Sequence, residues 1–142
     1  MRDEVRQALE ITPSSTLEER TVDITTTGRR SGQPRRIEIA FYRFEDSTYL
    51  SGIPSERPRA WLLNLTAEPH FVLHLKHGVS ADLPAVATVI DDPAERRRIL
   101  SQFVEEFNQR REPDSPWPVA VLDEWVEHSP LAKVSFDDAD PA

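Results

Sequence analysis

Residues 25–36 run Thr25-Thr26-Thr27-Gly28-Arg29-Arg30-Ser31-Gly32-Gln33-Pro34-Arg35-Arg36, and how this stretch folds decides the architecture. Four arginines, two glycines and a proline fall within its last nine residues, in a chain that is otherwise acidic. Small hydroxyl residues lead in. The β-branched run Thr21, Val22, Ile24, Thr25, Thr26 and Thr27 favours a strand, because branching at Cβ stiffens the side chain and suits a pleated surface. On the far side Ile37, Ile39 and Phe41 alternate with Arg36, Glu38, Ala40 and Tyr42, the period of two of a half-buried strand. The stretch is therefore two strands joined by a tight cationic turn.

Outward from this hairpin the chain continues as a meander. Glu45-Asp46-Ser47 turns it, and residues 48–53 form a third strand. Residues 53–59, with two prolines and two arginines, make a loop with charge at its tip. Residues 60–66 carry Trp61, Leu62 and Leu65 at helical spacing, and Glu68-Pro69 ends that helix. Two strands follow over 71–76 and 79–90 around a His77-Gly78 turn. The second is interrupted at Leu83-Pro84, where a proline implies an edge or a bulge.

The strongest helix signal comes next. Asp92 is a natural N-cap, Pro93 stands at the first helical position and Glu95 lies three residues after the cap. Ile99, Leu100, Phe103, Val104 and Phe107 then mark one apolar face out to residue 111. A loop over 113–118, a short helix over 119–127 and a closing strand over 131–136 follow, with Trp117 and Trp125 read as packing residues. At the other end, residues 2–10 form a short amphipathic helix with Val5 and Leu9 on one face, expected to be a weakly packed arm.

About six strands with helices inserted late fit a mainly β domain with flanking helices, a small closed or split β-barrel rather than a parallel βαβ sheet. The length of 142 residues suits one domain. Residues 1–19 would be its N-terminal helical arm, 20–136 the barrel with inserted helices, and 137–142 a polar tail. A proline-interrupted edge strand and an apolar helix face are compatible with a homodimer.

Composition removes several functions. Lys and Arg total 17 against 25 for Asp and Glu, a net charge of -8, so no general affinity for nucleic acid or anionic membrane is expected and any anion site must be local. The absence of cysteine excludes disulfides, thiolate metal sites and a cysteine nucleophile. No stretch approaches the roughly 18 apolar residues of a membrane span, and acids at Asp3 and Glu4 are unlike a signal peptide. A cytoplasmic protein is expected.

Chemistry concentrates at the turn. Four guanidiniums held close together repel one another, and their fork geometry matches phosphate and carboxylate oxygens. Ser31 and Gly32 let backbone N–H groups approach an anion. The same letters also describe a solvated hairpin whose arginines pair with surface acids. The turn lacks the ending and spacing of a Walker motif. His70 and His74 on one strand would stand about 13 Å apart and His77 on the opposite face, so no metal site is expected. No nucleophile elbow is present. Glu105-Glu106 and Asp137-Asp138 are read as solvated. Trp61 and Asn64 share a helix face. They are either a core tryptophan with an amide that bridges backbone, or an aromatic wall and an amide offered to a flat heterocycle.

The turn TTTGRRSGQPRR, followed by a meander and then RAWLLNLTAEPHFVLHLK, resembles the deazaflavin-dependent nitroreductase and quinone reductase family. Its members show a TTxGRxSGxPR turn and, downstream, a PxWxxNLxANP segment. The resemblance spans residues 22–89. It implies a split β-barrel of the kind shared with FMN-binding oxidases and binding of coenzyme F420, a flavin analogue with a phosphate and an oligoglutamate tail. By position, Arg29, Arg30, Ser31 and Arg35 would hold phosphate and tail, while Arg36, Ile37, Glu38 and Ile39 would run along the cofactor. Ser51, Gly52 and Ile53 would lie near the ring, and Ala60, Trp61 and Asn64 match the second motif. Arg57 or Arg59 stands in for a lysine that members often carry, Leu62 replaces a motif tyrosine, and the C-terminal tyrosines of some members are missing.

The implied activity is hydride transfer from the reduced cofactor to a small electron acceptor such as a quinone, nitro compound or activated alkene. No side chain is assigned as catalytic. An FMN-dependent split-barrel oxidoreductase and a non-catalytic protein that binds a cofactor or tetrapyrrole remain as alternatives.

Overall fold

The computed structural model describes residues 1–136. Its six strands are β1 (Thr21–Thr27), β2 (Pro34–Phe44), β3 (Ser47–Ser51), β4 (His70–Leu75), β5 (Ala81–Val89) and β6 (Leu131–Phe136). They close into an antiparallel barrel in the order β1-β2-β3-β6-β5-β4. The helices are α1 (Asp3–Leu9), α2 (Ala60–Ala67), α3 (Pro93–Arg110) and α4 (Leu122–His128), with a 3-10 turn, Glu18–Arg20, leading into β1. Among the described residues no helix is long and apolar enough to cross a membrane. The expected tail over 137–142, with Asp137 and Asp138, lies outside the described residues.

Alternation builds the core. Along β1 the side chains of Val22, Ile24 and Thr26 are buried and their neighbours are not. Phe41, Leu50, Leu73 and Val134 fill the same interior. Val5 and Leu9 of α1 belong to this cluster at 2% and 4% exposure, so the helix is packed into the barrel core and is no loose arm. A small barrel has little apolar interior of its own, and a two-residue apolar stripe on a helix completes it. A second cluster joins Ile99, Leu100, Phe103 and Val104 of α3 and Trp125 of α4 to Tyr49 and Leu131. There the Phe103 ring stands 4.6 Å from Tyr42 and 4.8 Å from Phe44, centre to centre.

Local signals are realised as local structure. Asp92 accepts a hydrogen bond from the Glu95 N–H at 2.9 Å, and Pro93 opens α3. Glu45 and Asp46, both with positive φ, form the two-residue turn between β2 and β3.

Three expectations need correction. The strand β5 runs unbroken through Pro84, which pairs with Val72 of β4, while pairing with β6 begins only at Ala85. The ring thus sits where no β6 neighbour among the described residues asks for its missing N–H, and the closed barrel gives β5 a partner on both sides. Trp117 is 53% exposed and only Trp125, at 6%, is a packing residue. Glu106, expected in solvent, has a side chain 11% exposed because Arg20 meets it at 2.8 Å.

Candidate functional site

The turn between β1 and β2 is built by its own backbone. The Gly28 N–H donates to the Gln33 carbonyl at 2.8 Å, and the Gly32 N–H donates to the Gly28 carbonyl at 2.8 Å. Gly32 has φ +69°, a left-handed conformation costly for any other residue. A Cβ on Gly28 would stand 2.7 Å from Ser31 Oγ and 3.2 Å from the Gln33 carbonyl, so both glycines are required by shape. Ser31 Oγ accepts from the Gln33 N–H at 3.1 Å and from Arg35 Nη2 at 3.4 Å. Arg29, Arg30, Ser31 and Arg35 are all exposed. None of these three arginines forms an ion pair with another described residue, whereas Arg36 does.

The fourth arginine is separated from the others by the pleat. Arg35, Ile37 and Ile39 project to the side of β2 that leads to Phe41 in the core, and Arg36 and Glu38 project to the other. There Arg36 Nε donates to Asp23 Oδ2 at 3.0 Å, and Lys76 Nζ donates to Asp23 Oδ1 at 2.7 Å and to Glu38. The Lys76 hydrogen bond foremost, and Arg36 after it, hold the Asp23 carboxyl below its ordinary value. The Asp23 carboxylate in turn raises the Lys76 ammonium. Asp23 thus answers the charge of Arg36 inside the protein. The run Arg36 to Ile39 cannot present all its side chains to one ligand.

Asn64 joins the two sequence motifs in space. Buried at 6% exposure on α2, its Oδ1 accepts from the Arg29 N–H at 3.0 Å and its Nδ2 donates to Thr26 Oγ1 at 3.1 Å. Both ends of the amide have a partner within the protein, the arrangement of an amide that bridges to backbone. Trp61 is half-buried against the barrel cluster, and Ala60 opens α2 as an exposed residue.

The third predicted segment lies at the end of β3. Ser51 is 4% exposed and its Oγ donates to the Pro130 carbonyl at 2.7 Å, so this hydroxyl is also committed internally. Gly52 and Ile53 are half-buried. The Ile53 carbonyl accepts from Arg59 Nη2 at 3.1 Å, while Arg59 Nε is buried without a hydrogen-bond partner among the described residues. A cavity of about 300 Å³ opens beside this loop, lined by Arg57, Arg59, Arg96, His128, Ser129 and Pro130 among others.

The histidines of this region have separate carboxylate neighbours. His74 bridges three strands, with Nε2 2.7 Å from Thr25 Oγ1 and Nδ1 2.7 Å from Asp82 Oδ1. His70 lies by Glu68 and His77 by Glu18, at 3.5 and 3.4 Å.

A closed six-stranded antiparallel barrel with helices outside it is the split β-barrel, the class this chain falls in. Solved structures that share it include a protein related to general stress protein 26, of the pyridoxinephosphate oxidase family, from Clostridium acetobutylicum, at 13% identity and TM-score 0.60 over 94% of this chain and 82% of that one. A FAD-binding protein from Mesorhizobium loti matches at 11% identity and TM-score 0.60 over 97% and 91%. The haem-storage protein HutZ of Vibrio cholerae matches at 14% identity and TM-score 0.59 over 98% and 93%. Likeness at this level defines the fold alone, and no curated protein matches the chain in sequence. The family is defined by its sequence model: residues 2–124 match that of the F420H(2)-dependent quinone reductases, and the chain belongs to this family. It is accordingly an F420-dependent reductase with coenzyme F420 as its cofactor.

Proposed function

We propose that coenzyme F420 lies along a groove that runs from the arginine turn to the end of β3, and that the chain uses it to reduce a small electrophile: a quinone, a nitro compound or an activated alkene. The observation that carries this reading is the set of exposed guanidiniums of Arg29, Arg30 and Arg35, with no ion-pair partner among the described residues of a protein of net charge -8. A phosphate and a chain of carboxylates need clustered forked donors, and elsewhere the acidic surface repels them. The donor set therefore fits the cofactor's anionic end.

When bound, the reduced deazaflavin supplies the hydride. The chain's own residues bind and orient. Arg29, Arg30 and Arg35, with Ser31, hold the anionic end; Ile37, Ile39, Ala60 and Trp61 wall the groove; Ser51, Gly52 and Ile53 meet the ring through backbone, since the Ser51 hydroxyl is already bonded to Pro130. Arg36 and Glu38 keep β2 in place from its other face, and Asn64 holds the turn against α2. A homodimer belongs to the same proposal, supported by residues 34–40 of β2, which pair with β1 alone and leave Ile37 37% exposed.

Fluorescence titration of the purified protein with coenzyme F420 and with FMN tests the reading. Tight F420 binding that collapses in the Arg30→Ala, Arg35→Ala double variant is the expected result. No F420 binding at tens of micromolar, or binding unmoved by the double variant, rejects the groove, and preferential FMN binding points to a flavin oxidoreductase instead.

A further inference from the structure

A cavity of about 570 Å³ lies where α3 and the segment after it cover β2, and the cofactor groove makes no use of it. Its lining residues Arg20 and Tyr42 stand away from the turn, about 23 Å along β1 and about 26 Å along β2 at roughly 3.3 Å per residue. Five aromatic side chains line it: Tyr42, Phe103, Phe107, Trp117 and Trp125. Trp117 is 53% exposed, unusual for a packing residue, yet its backbone is fixed in place. Its carbonyl accepts from Arg111 Nε at 2.7 Å, its N–H donates to Ser115 Oγ at 3.1 Å, and the Asn108 side chain pins Ala120 at 2.8 and 3.1 Å. Leu17, 68% exposed, also lines the cavity.

The floor is polar and buried. Arg20 is 3% exposed; its Nη1 donates to Glu106 Oε1 at 2.8 Å and its Nη2 to the carbonyls of Thr12 and Ser15 at 2.9 and 3.2 Å. The guanidinium carbon lies 5.6 Å from the centre of the Tyr42 ring. Arg20 Nε is sealed from solvent, with no hydrogen-bond partner among the described residues. The charged residues of the lining balance, with Arg20, Arg110 and Arg111 against Glu106, Glu112 and Asp114. Such a lining sets up no field that selects an anion or a cation.

We propose that this cavity binds a neutral, planar aromatic molecule, stacked on Trp117 among the rings of Tyr42, Phe103, Phe107 and Trp125. The volume lies within the roughly 300 to 1,000 Å³ of small-molecule sites, and predominantly aromatic and apolar walls are their usual composition. A protein partner suits the place less well, because Arg110, Glu112 and Asp114 put exposed charge around it and interface cores are depleted of charge.

Prodan, a neutral naphthyl ketone, is a suitable probe. Its emission should shift and saturate at one site per chain, with Trp117→Ala and Leu17→Arg each weakening binding about five- to tenfold. Both positions are exposed, so the variants test the cavity rather than folding. The Arg30→Ala, Arg35→Ala variant should leave prodan binding unchanged, and coenzyme F420 should not displace it. Unsaturable binding, or binding untouched by both variants, overturns the proposal. Displacement by F420 would give the cavity to the cofactor, and a Trp117→Ala protein that loses its dimer in sedimentation would make it an interface between copies; either result also overturns it.

Discussion

Two groups of arginines stand at opposite ends of β1, and the same side chain does different work in each. At the C-terminal end Arg29, Arg30 and Arg35 are exposed and form no ion pair with a described residue. At the N-terminal end Arg20 is 3% exposed, paired to Glu106 and bonded to two backbone carbonyls. Taking a guanidinium out of water costs several kcal/mol, so a buried one is kept only with a carboxylate and acceptors around it. An exposed one is satisfied by water and stays available to a ligand. Arg36 lies between these cases, half-exposed and tied to Asp23. What separates a structural arginine from one proposed to bind the cofactor is whether the protein answers its charge.

The contrast can be broken most forcefully at the buried end. Glu106→Ala leaves Arg20 uncompensated and should cost about 3–5 kcal/mol, read from the urea midpoint. A cost below about 1 kcal/mol would mean that the pair is hydrated and that the two ends differ less than their burial says. At the exposed end the Arg30→Ala, Arg35→Ala variant should keep its stability within about 0.5 kcal/mol. Its affinity for coenzyme F420 should nonetheless fall about 100-fold, from two charge-assisted hydrogen bonds at roughly 1.5 kcal/mol each, measured by fluorescence titration.

Asn64→Ala sharpens the comparison by asking how firmly the exposed group is held. It removes the acceptor of the Arg29 N–H and the donor to buried Thr26, and thermal unfolding should show a loss of about 1–3 kcal/mol. The smallest effect belongs to the intermediate arginine. Asp23 titrates below the ordinary aspartate value of 3.8, so its contribution to stability is complete above that pH and is lost as pH falls through the lower folded value. Asp23→Asn should flatten the acid limb of stability in urea, by less than about 1 kcal/mol because the pair is partly solvated, and should leave neutral-pH binding through Arg30 and Arg35 intact.

Legibility in the sequence followed range. The strand from Thr21 to Thr27, the alternation after Pro34 and the Asp92-Pro93 helix start are decided by neighbours a few residues away, and each formed where expected. The barrel's closure rests on β1 with β4 and β3 with β6, pairings between distant segments that no local pattern specifies. The same holds for Arg20 and Glu106, which are 86 residues apart. Glu106 had looked solvated only because nothing nearby in sequence announces its partner. Trp117 and Trp125 are alike as letters and differ because Trp117 stands in the loop before α4, whereas α4 carries Trp125 against Phe107 of α3. At the candidate site the period of two in β2 already divided Arg36 and Glu38 from Arg35, Ile37 and Ile39. What the letters lacked was Asp23, whose carboxylate turns that division into a difference in availability.

The amide of Asn64 has one more consequence. Because it grips the backbone at Arg29 from α2, the arginine turn and Trp61 are referred to a single fixed point. The proposed groove would therefore act as a gauge of length. A residue inserted between Gly28 and Gln33 would leave the barrel intact and change the distance between phosphate grip and ring wall. Ligands would then be sorted by how far their charge lies from their aromatic end, before any chemistry takes place.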